Sequence, residues 1–278
     1  MTQSLSHPLW TAEPFTAGIG ERGVDDLVVS LDRRFVAVIE SGYDHEDRGV
    51  RGEVVVLRCV DGVELFRAEH RSWAPLGAWS VDGFTLRDGG GDAEPIAWSP
   101  TDEAPAASVA RCSAGRLRVR READDRVCLE GPSGEALFEV FTDAYEEISA
   151  LALSGDEAVW AAACSGPRPP DAKRPRGGAW NVGYVARGGE ASLTLPLDRC
   201  TLSVALSHRG DLLAGVCDGE LRVHRTSNGE RLASGAEGYA TRVAFAADDA
   251  LVVASRGPGG LSRESPCFVR AFALGQDR

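Results

Sequence analysis

Apolar residues in this chain fall into short alternating or continuous runs cut by polar and glycine-containing turns, a strand pattern rather than a helical one. Residues 204–235 show it most completely. Two apolar runs, 204–206 and 212–217, are joined across His208-Arg209-Gly210-Asp211, and the dipeptides Asp218-Gly219 and Asn228-Gly229 mark tight hairpins. The stretch therefore predicts one four-stranded antiparallel sheet.

Similar blocks recur with a period of roughly 40 to 50 residues. The first takes residues 27–30, 35–41, 53–59 and 63–69, and a degenerate second runs from 76 to 107 around Trp79, Thr85-Leu86 and Ile96-Ala97-Trp98. The third takes 109–113, 116–121, 126–130 and 136–141; the fourth takes 148–153, 158–164, 180–186 and 191–195. After the fifth, 204–235, the sixth has only three strands, at 242–245, 251–255 and 268–272. An uncovered strand edge invites aggregation, so residues 9–15, Leu9-Trp10-Thr11-Ala12-Glu13-Pro14-Phe15, are expected to supply the missing outer strand.

The order of strand, polar turn, apolar strand, Asp-Gly, strand, polar turn and strand resembles the WD40 repeat. The positions where that family carries Trp-Asp hold His224-Arg225 and, before Asp61-Gly62, Leu57-Arg58, so the dipeptide itself is absent. The Gly-His pair corresponds to Glu69-His70 and Glu237-Gly238. The turns, the period and this resemblance together imply an all-β fold. Residues 1–278 are read as a single β-propeller of four-stranded antiparallel blades, six-bladed with seven as the alternative, its ring closed by the N-terminal strand.

Composition fits one globular domain, with 43% hydrophobic residues and glycine and proline spread along the chain rather than gathered into linkers. The longest apolar run, 158–164, is far shorter than the ~20 residues of a membrane helix. The start, MTQSLSHPLW, has neither a basic nor an apolar leader segment. A cytoplasmic location without membrane contact is expected. Lys173 is the sole lysine among 30 basic residues, which we read as the codon bias of a GC-rich, bacterial genome. The net charge of -12 argues against direct nucleic-acid binding, which needs a basic surface. Seven cysteines without a CxxC spacing read as reduced strand thiols, not zinc ligands.

Catalytic patterns are absent: no GxSxG, no HExxH, and five histidines scattered among termini, loops and strands. No catalytic, metal or cofactor-binding residue is assigned, and no cofactor is expected. The informative feature is where insertions fall. Residues 42–52, 166–178 and 256–266 each lie between the second and third strands of a repeat, so in a propeller all three would decorate one face. The first carries Tyr43, Asp44, His45 and Arg48, polar side chains without metal-site spacing. The second concentrates Arg168, Lys173, Arg174 and Arg176 among prolines that favour an extended course suited to an acidic protein surface. The third carries Arg256 and Arg263 in a glycine-rich stretch lacking phosphate-loop order. These ten residues are the expected contacts with a protein partner. The function expected is a non-catalytic interaction scaffold or adaptor subunit of a bacterial multiprotein assembly, binding heteromerically. The alternative is a metal-dependent hydrolase or lactonase with a site in the central channel, assembled from residues on different blades.

Overall fold

The computed structural model describes residues 3–5, 7–15, 23–30, 32–44, 48–72, 75–80, 82–88, 95–100, 118–121, 126–130, 136–141, 147–154, 159–166, 180–187, 190–197, 201–217, 219–235, 239–247, 250–256 and 266–274. Every regular element among them is a strand, and no described helix is long and apolar enough to cross a membrane. Two strands lead in, β1 (Gln3–Ser4) and β2 (Trp10–Phe15). The next four, β3 (Gly23–Val29), β4 (Phe35–Asp44), β5 (Gly49–Arg58) and β6 (Glu64–His70), form one sheet in that order. A three-stranded sheet follows from β7 (Pro75–Ser80), β8 (Gly83–Asp88) and β9 (Ile96–Trp98), and another from β10 (Arg118–Arg121), β11 (Arg126–Glu130) and β12 (Ala136–Phe141). Then come β13 (Glu147–Leu153), β14 (Val159–Gly166), β15 (Trp180–Arg187) and β16 (Glu190–Leu197) as a second meander of four. A third holds β17 (Thr201–Leu206), β18 (Leu212–Cys217), β19 (Glu220–Arg225) and β20 (Arg231–Ser234). The last strands are β21 (Tyr239–Ala247), β22 (Ala250–Arg256) and β23 (Cys267–Ala273).

These sheets are antiparallel meanders of consecutive strands, with two contributions from the N-terminus. β2 pairs antiparallel with β23, giving the order β2-β23-β22-β21, while β1 adds parallel to β20. The chain divides into two compact units, residues 1–4 with 113–235 and residues 5–112 with 236–278. Residues 109–113, read as the opening strand of the third repeat, lie outside the described residues.

Side-chain chemistry explains the turns. Gly62 and Gly229 both have φ of 72°, a region open to glycine, and each N–H donates four residues back, to Arg58 O at 2.8 Å and Arg225 O at 2.9 Å. The residue before each glycine reinforces the turn, since Asp61 accepts from Val63 N–H and Asn228 accepts from Glu230 N–H. A second device joins the first and second strands of three sheets. Ser30, Ser154 and Ser207 each accept, on Oγ, the N–H of the residue five positions on, Phe35, Val159 and Leu212, at 2.9 to 3.0 Å.

In the unit formed by residues 5–112 and 236–278, the sheet β3–β6 is buried on both faces. Val36 and Val38 of β4, with Val55 and Leu57 of β5, enter a core shared with Trp10, Val252, Val269 and Ala271. Phe35, Ala37 and Ile39, with Val54 and Val56, enter the opposite core around Trp79, Phe84 and Leu86. Strict apolar-polar alternation is therefore lost in the middle strands, which read as continuous apolar runs. Trp79 anchors the second core: its indole N–H donates to Val28 O at 2.8 Å, and Phe84 and Trp98 pack at 5.2 and 5.9 Å between ring centres.

In the other unit, Val159, Ala161, Leu206 and Leu213 form a core, and the buried thiol of Cys217 packs beside Ala163. Cys59, Cys217 and Cys267 are reduced thiols.

Candidate interaction site

The insertion read at residues 42–52 is largely strand. Pairing of β4 with β5 runs out to Gly42↔Arg51, Tyr43↔Val50 and Asp44↔Gly49. The flanking strands stop earlier, β3 at Gly23↔Ser41 and β6 at Gly52↔His70. A two-stranded arm thus projects past the four-stranded sheet. Its place between two apolar runs suggested a loop from sequence, but Tyr43 and Val50, good strand formers, sit opposite each other and extend the ladder. Arg48 is exposed at the arm with a φ of 50°, unusual for a residue with a side chain.

At the base of the arm lies a polar cluster. The Ser41 hydroxyl donates to the Asp25 carboxylate, and Arg242 Nε of β21 donates to the Asp25 backbone carbonyl at 2.6 Å. Asp26 Oδ1 accepts from Leu27 N–H at 2.9 Å. Burial pushes both carboxyls above the usual range. For Asp25 it outweighs the Ser41 bond and the Arg242 charge; for Asp26 it is reinforced by the negative charge of Asp25.

His70 closes the base. Ser72 N–H donates to Nδ1 at 3.3 Å, so the imidazole proton resides on Nε2 and is donated to Glu40 O at 3.0 Å. The ring reaches Glu40 by passing over Gly52 on the intervening strand. A Cβ at Gly52 would lie 2.3 Å from Glu40 O and 2.4 Å from His70 Cε1, which is why glycine stands there. Arg51 Nη2 meets Glu69 Oε1 at 2.9 Å across the same strands.

The connection from β22 to β23 leaves from the same end. Arg256 is paired with Tyr239 at the start of β21 and with Cys267 at the start of β23, and Arg242 of β21 is the residue that reaches Asp25. Just inside that end, buried Arg270 donates to Ser255 Oγ at 2.8 Å and lies 4.4 Å over the Phe268 ring.

Of the residues expected to bind a partner, Tyr43, Asp44 and Arg48 are therefore on the arm, and Arg256 terminates β22. His45, Arg168, Lys173, Arg174, Arg176 and Arg263 lie outside the described residues. Sequence reasoning missed Asp25, Asp26 and Arg242; the available signal was an Asp-Asp pair abutting the apolar run Leu27-Val28-Val29. The cluster offers ion pairing and hydrogen bonding rather than nucleophilic chemistry. Among the described residues, no group of three or more His, Cys, Asp or Glu could hold a metal ion.

No family model matches the chain, and no curated protein is similar to it. Among solved structures, the chain is similar to the β-propeller domain of Cps50 (Swd1) from Myceliophteria thermophila. The two are 12% identical, the match covers 95% of this chain and 100% of that one, and the TM-score is 0.44. It is also similar to KlHsv2 with loop 6CD replaced by a Gly-Ser linker, at 12% identity, 91% and 100% coverage, and a TM-score of 0.40. Likenesses this distant transfer no residue's role to this chain.

Proposed function

We propose that the protein is a non-catalytic interaction scaffold whose meander sheets are propeller blades, and that it binds a protein partner heteromerically as a subunit of a larger assembly. The observation that carries this reading is the arm made by Gly42–Asp44 and Gly49–Arg51, which extends beyond its own sheet from a base where Ser41, Asp25 and Arg242 are joined by hydrogen bonds. A rigid two-stranded projection loses little conformational entropy on docking, and its paired backbone holds Tyr43 and Asp44 in fixed register with Arg48 in the adjoining turn.

The test is to shorten the arm by replacing residues 42–51 with an Asn-Gly turn, purify both forms from the native cells, and analyse bound proteins and metals in the same samples. A stoichiometric protein recovered with the intact chain and lost with the shortened one supports the reading. Undiminished recovery, or a solitary protein carrying one equivalent of a divalent metal, overturns it. The basic segment with Arg168, Lys173, Arg174 and Arg176 is proposed as a second contact, for an acidic protein surface. Neutralising all four residues should weaken recovery of the same partner without changing the melting temperature.

A further inference from the structure

The opposite end of the β3–β6 sheet carries the exposed large apolar side chains of the described residues: Val60 at 77% exposure, Leu9 at 62%, Val63 at 44% and Leu65 at 37%. Two ties hold β2 to this corner, one from the connection that follows β5 and one from the outer strand β6. Trp10 Nε1–H donates to Cys59 O at 2.7 Å, and its ring packs so closely on the β5–β6 turn that a Cβ at Gly62 would lie 2.5 Å from it. Further along β6, Arg67 Nη2 donates to Pro14 O at 2.6 Å. Leu9 precedes Trp10, Val60 and Val63 flank Gly62, and Leu65 lies between Val63 and Arg67 on alternate positions of the strand.

We infer that this junction is a docking surface, separate from the arm, for a short extended segment of a protein partner with aliphatic anchors flanked by lysine or arginine. Charge sets the partner's sign. Arg58 is committed to Asp61, and Arg67 to both Glu64 and Glu53, so the guanidinium groups at the junction are neutralised from within. Carboxylates remain in excess, with Glu13 exposed on β2. Size sets the form. The four side chains expose apolar surface on the order of 400 Å², a patch large enough to serve recognition. It is about half of what one partner contributes to a standard stable interface. A second copy of this chain, carrying the same charge of -12, would also repel. Since β5 is ten residues long and begins at the end of the arm, about 30 Å separates this patch from the arm's tip.

The probe is a fluorescein-labelled peptide of alternating leucine and lysine, titrated with the intact protein and followed by fluorescence anisotropy. Val60→Glu combined with Leu65→Glu removes two anchors already exposed to water, so folding, checked by the melting temperature, is unchanged. Docking predicts about tenfold weaker binding for this double variant, and a loss of about two- to threefold for Glu13→Gln. Non-specific attraction to an acidic protein predicts the reverse for the double variant, because two negative charges have been added. The form with a shortened arm should bind the peptide like the intact protein, which keeps failure here distinct from failure of the arm reading. Equal or tighter binding by the double variant, or no binding up to about 1 mM, overturns the inference. A concentration-dependent dimer abolished by the same double variant also overturns it, by assigning the surface to a second copy.

Discussion

Replacing Gly52 with alanine adds a single methyl group at the most crowded point of the β3–β6 sheet. Its Cβ would fall 2.3 Å from Glu40 O and within 2.5 Å of both Cε1 and Nε2 of His70, distances no real contact tolerates. The backbone carbonyl belongs to the adjacent paired strand and moves only if the ladder spreads, so the imidazole must be displaced as well. Forcing a methyl group into such a site costs about 1–3 kcal/mol. Losing the Nε2–H bond to Glu40 O and the Ser72 N–H bond to Nδ1, both buried, adds about 1 kcal/mol each. The expected loss is at least about 3 kcal/mol, a large part of a typical domain's stability. For a chain of this size it lowers the melting temperature by about 6–12 °C. Urea denaturation gives the energy, and hydrogen exchange should place the weakened amides in β4, β5 and β6. His70→Ala in the same background should cost less than the two single losses added together, by about 1 kcal/mol or more, because both changes break the same pair of bonds. A Gly52→Ala protein within about 0.5 kcal/mol of the parent, or strict additivity with His70→Ala, would refute the idea that glycine is held there by the histidine bridge.

Trp79→Phe keeps most of the aromatic contact but leaves Val28 O buried without the indole donor, and should cost about 2 kcal/mol in chemical denaturation. Asp26→Asn should stabilise the protein at pH 7, with the gain disappearing on acidification. Because the folded carboxyl lies above its ordinary 3.8, the native state binds the proton more readily than the unfolded state. The penalty of the ionised form therefore begins as pH rises past 3.8 and is complete above the folded value; denaturation of both forms across that range checks the sign. Burial, helped by the charge of Asp32, pushes the Cys59 thiol up to about 12, so its alkylation at pH 8 should be about a thousandfold slower than in the urea-unfolded chain, measured by mass spectrometry.

Strand positions were legible from the sequence because two signals were local. The Asp-Gly and Asn-Gly pairs adopt left-handed glycines in tight turns, and the apolar runs at 35–41, 212–217 and 251–255 are middle strands. A third local signal went unread. Serine followed five positions later by the first apolar residue of the next strand occurs at Ser30, Ser154 and Ser207, each with the same Oγ acceptor role. It marks the first turn of a repeat more directly than the missing Trp-Asp does. The polar cluster was less legible because its members are far apart in sequence: Arg242 reaches Asp25 over 217 positions, and no local pattern announces that contact. The arm was missed because residues 42–52 were read as an insertion between strands, yet Gly42, Gly49 and Gly52 all lie opposite strand partners, and Gly52 also makes room for His70.

The burial pattern also explains why chemistry in this chain belongs at strand ends. From Phe35 to Ile39 in β4 and from Val54 to Leu57 in β5, successive residues alternate between two apolar cores, so neither face of these stretches is available for a polar function; Glu40, buried next to Ile39, is the first polar side chain toward the arm. A charged group placed in mid-strand would be desolvated without a partner, at a cost comparable to the stability of the whole domain. Only the positions where pairing stops escape this constraint. One such end carries Asp25, Asp26, Arg242 and the arm; the other carries Val60, Val63 and Leu9 around Trp10. Two surfaces of opposite character, one polar and projecting, one apolar and flat, are thereby held apart at a distance fixed by the length of β5. Neither can shift without breaking the valine-rich strands between them, and that rigidity is what the scaffold role proposed above would require.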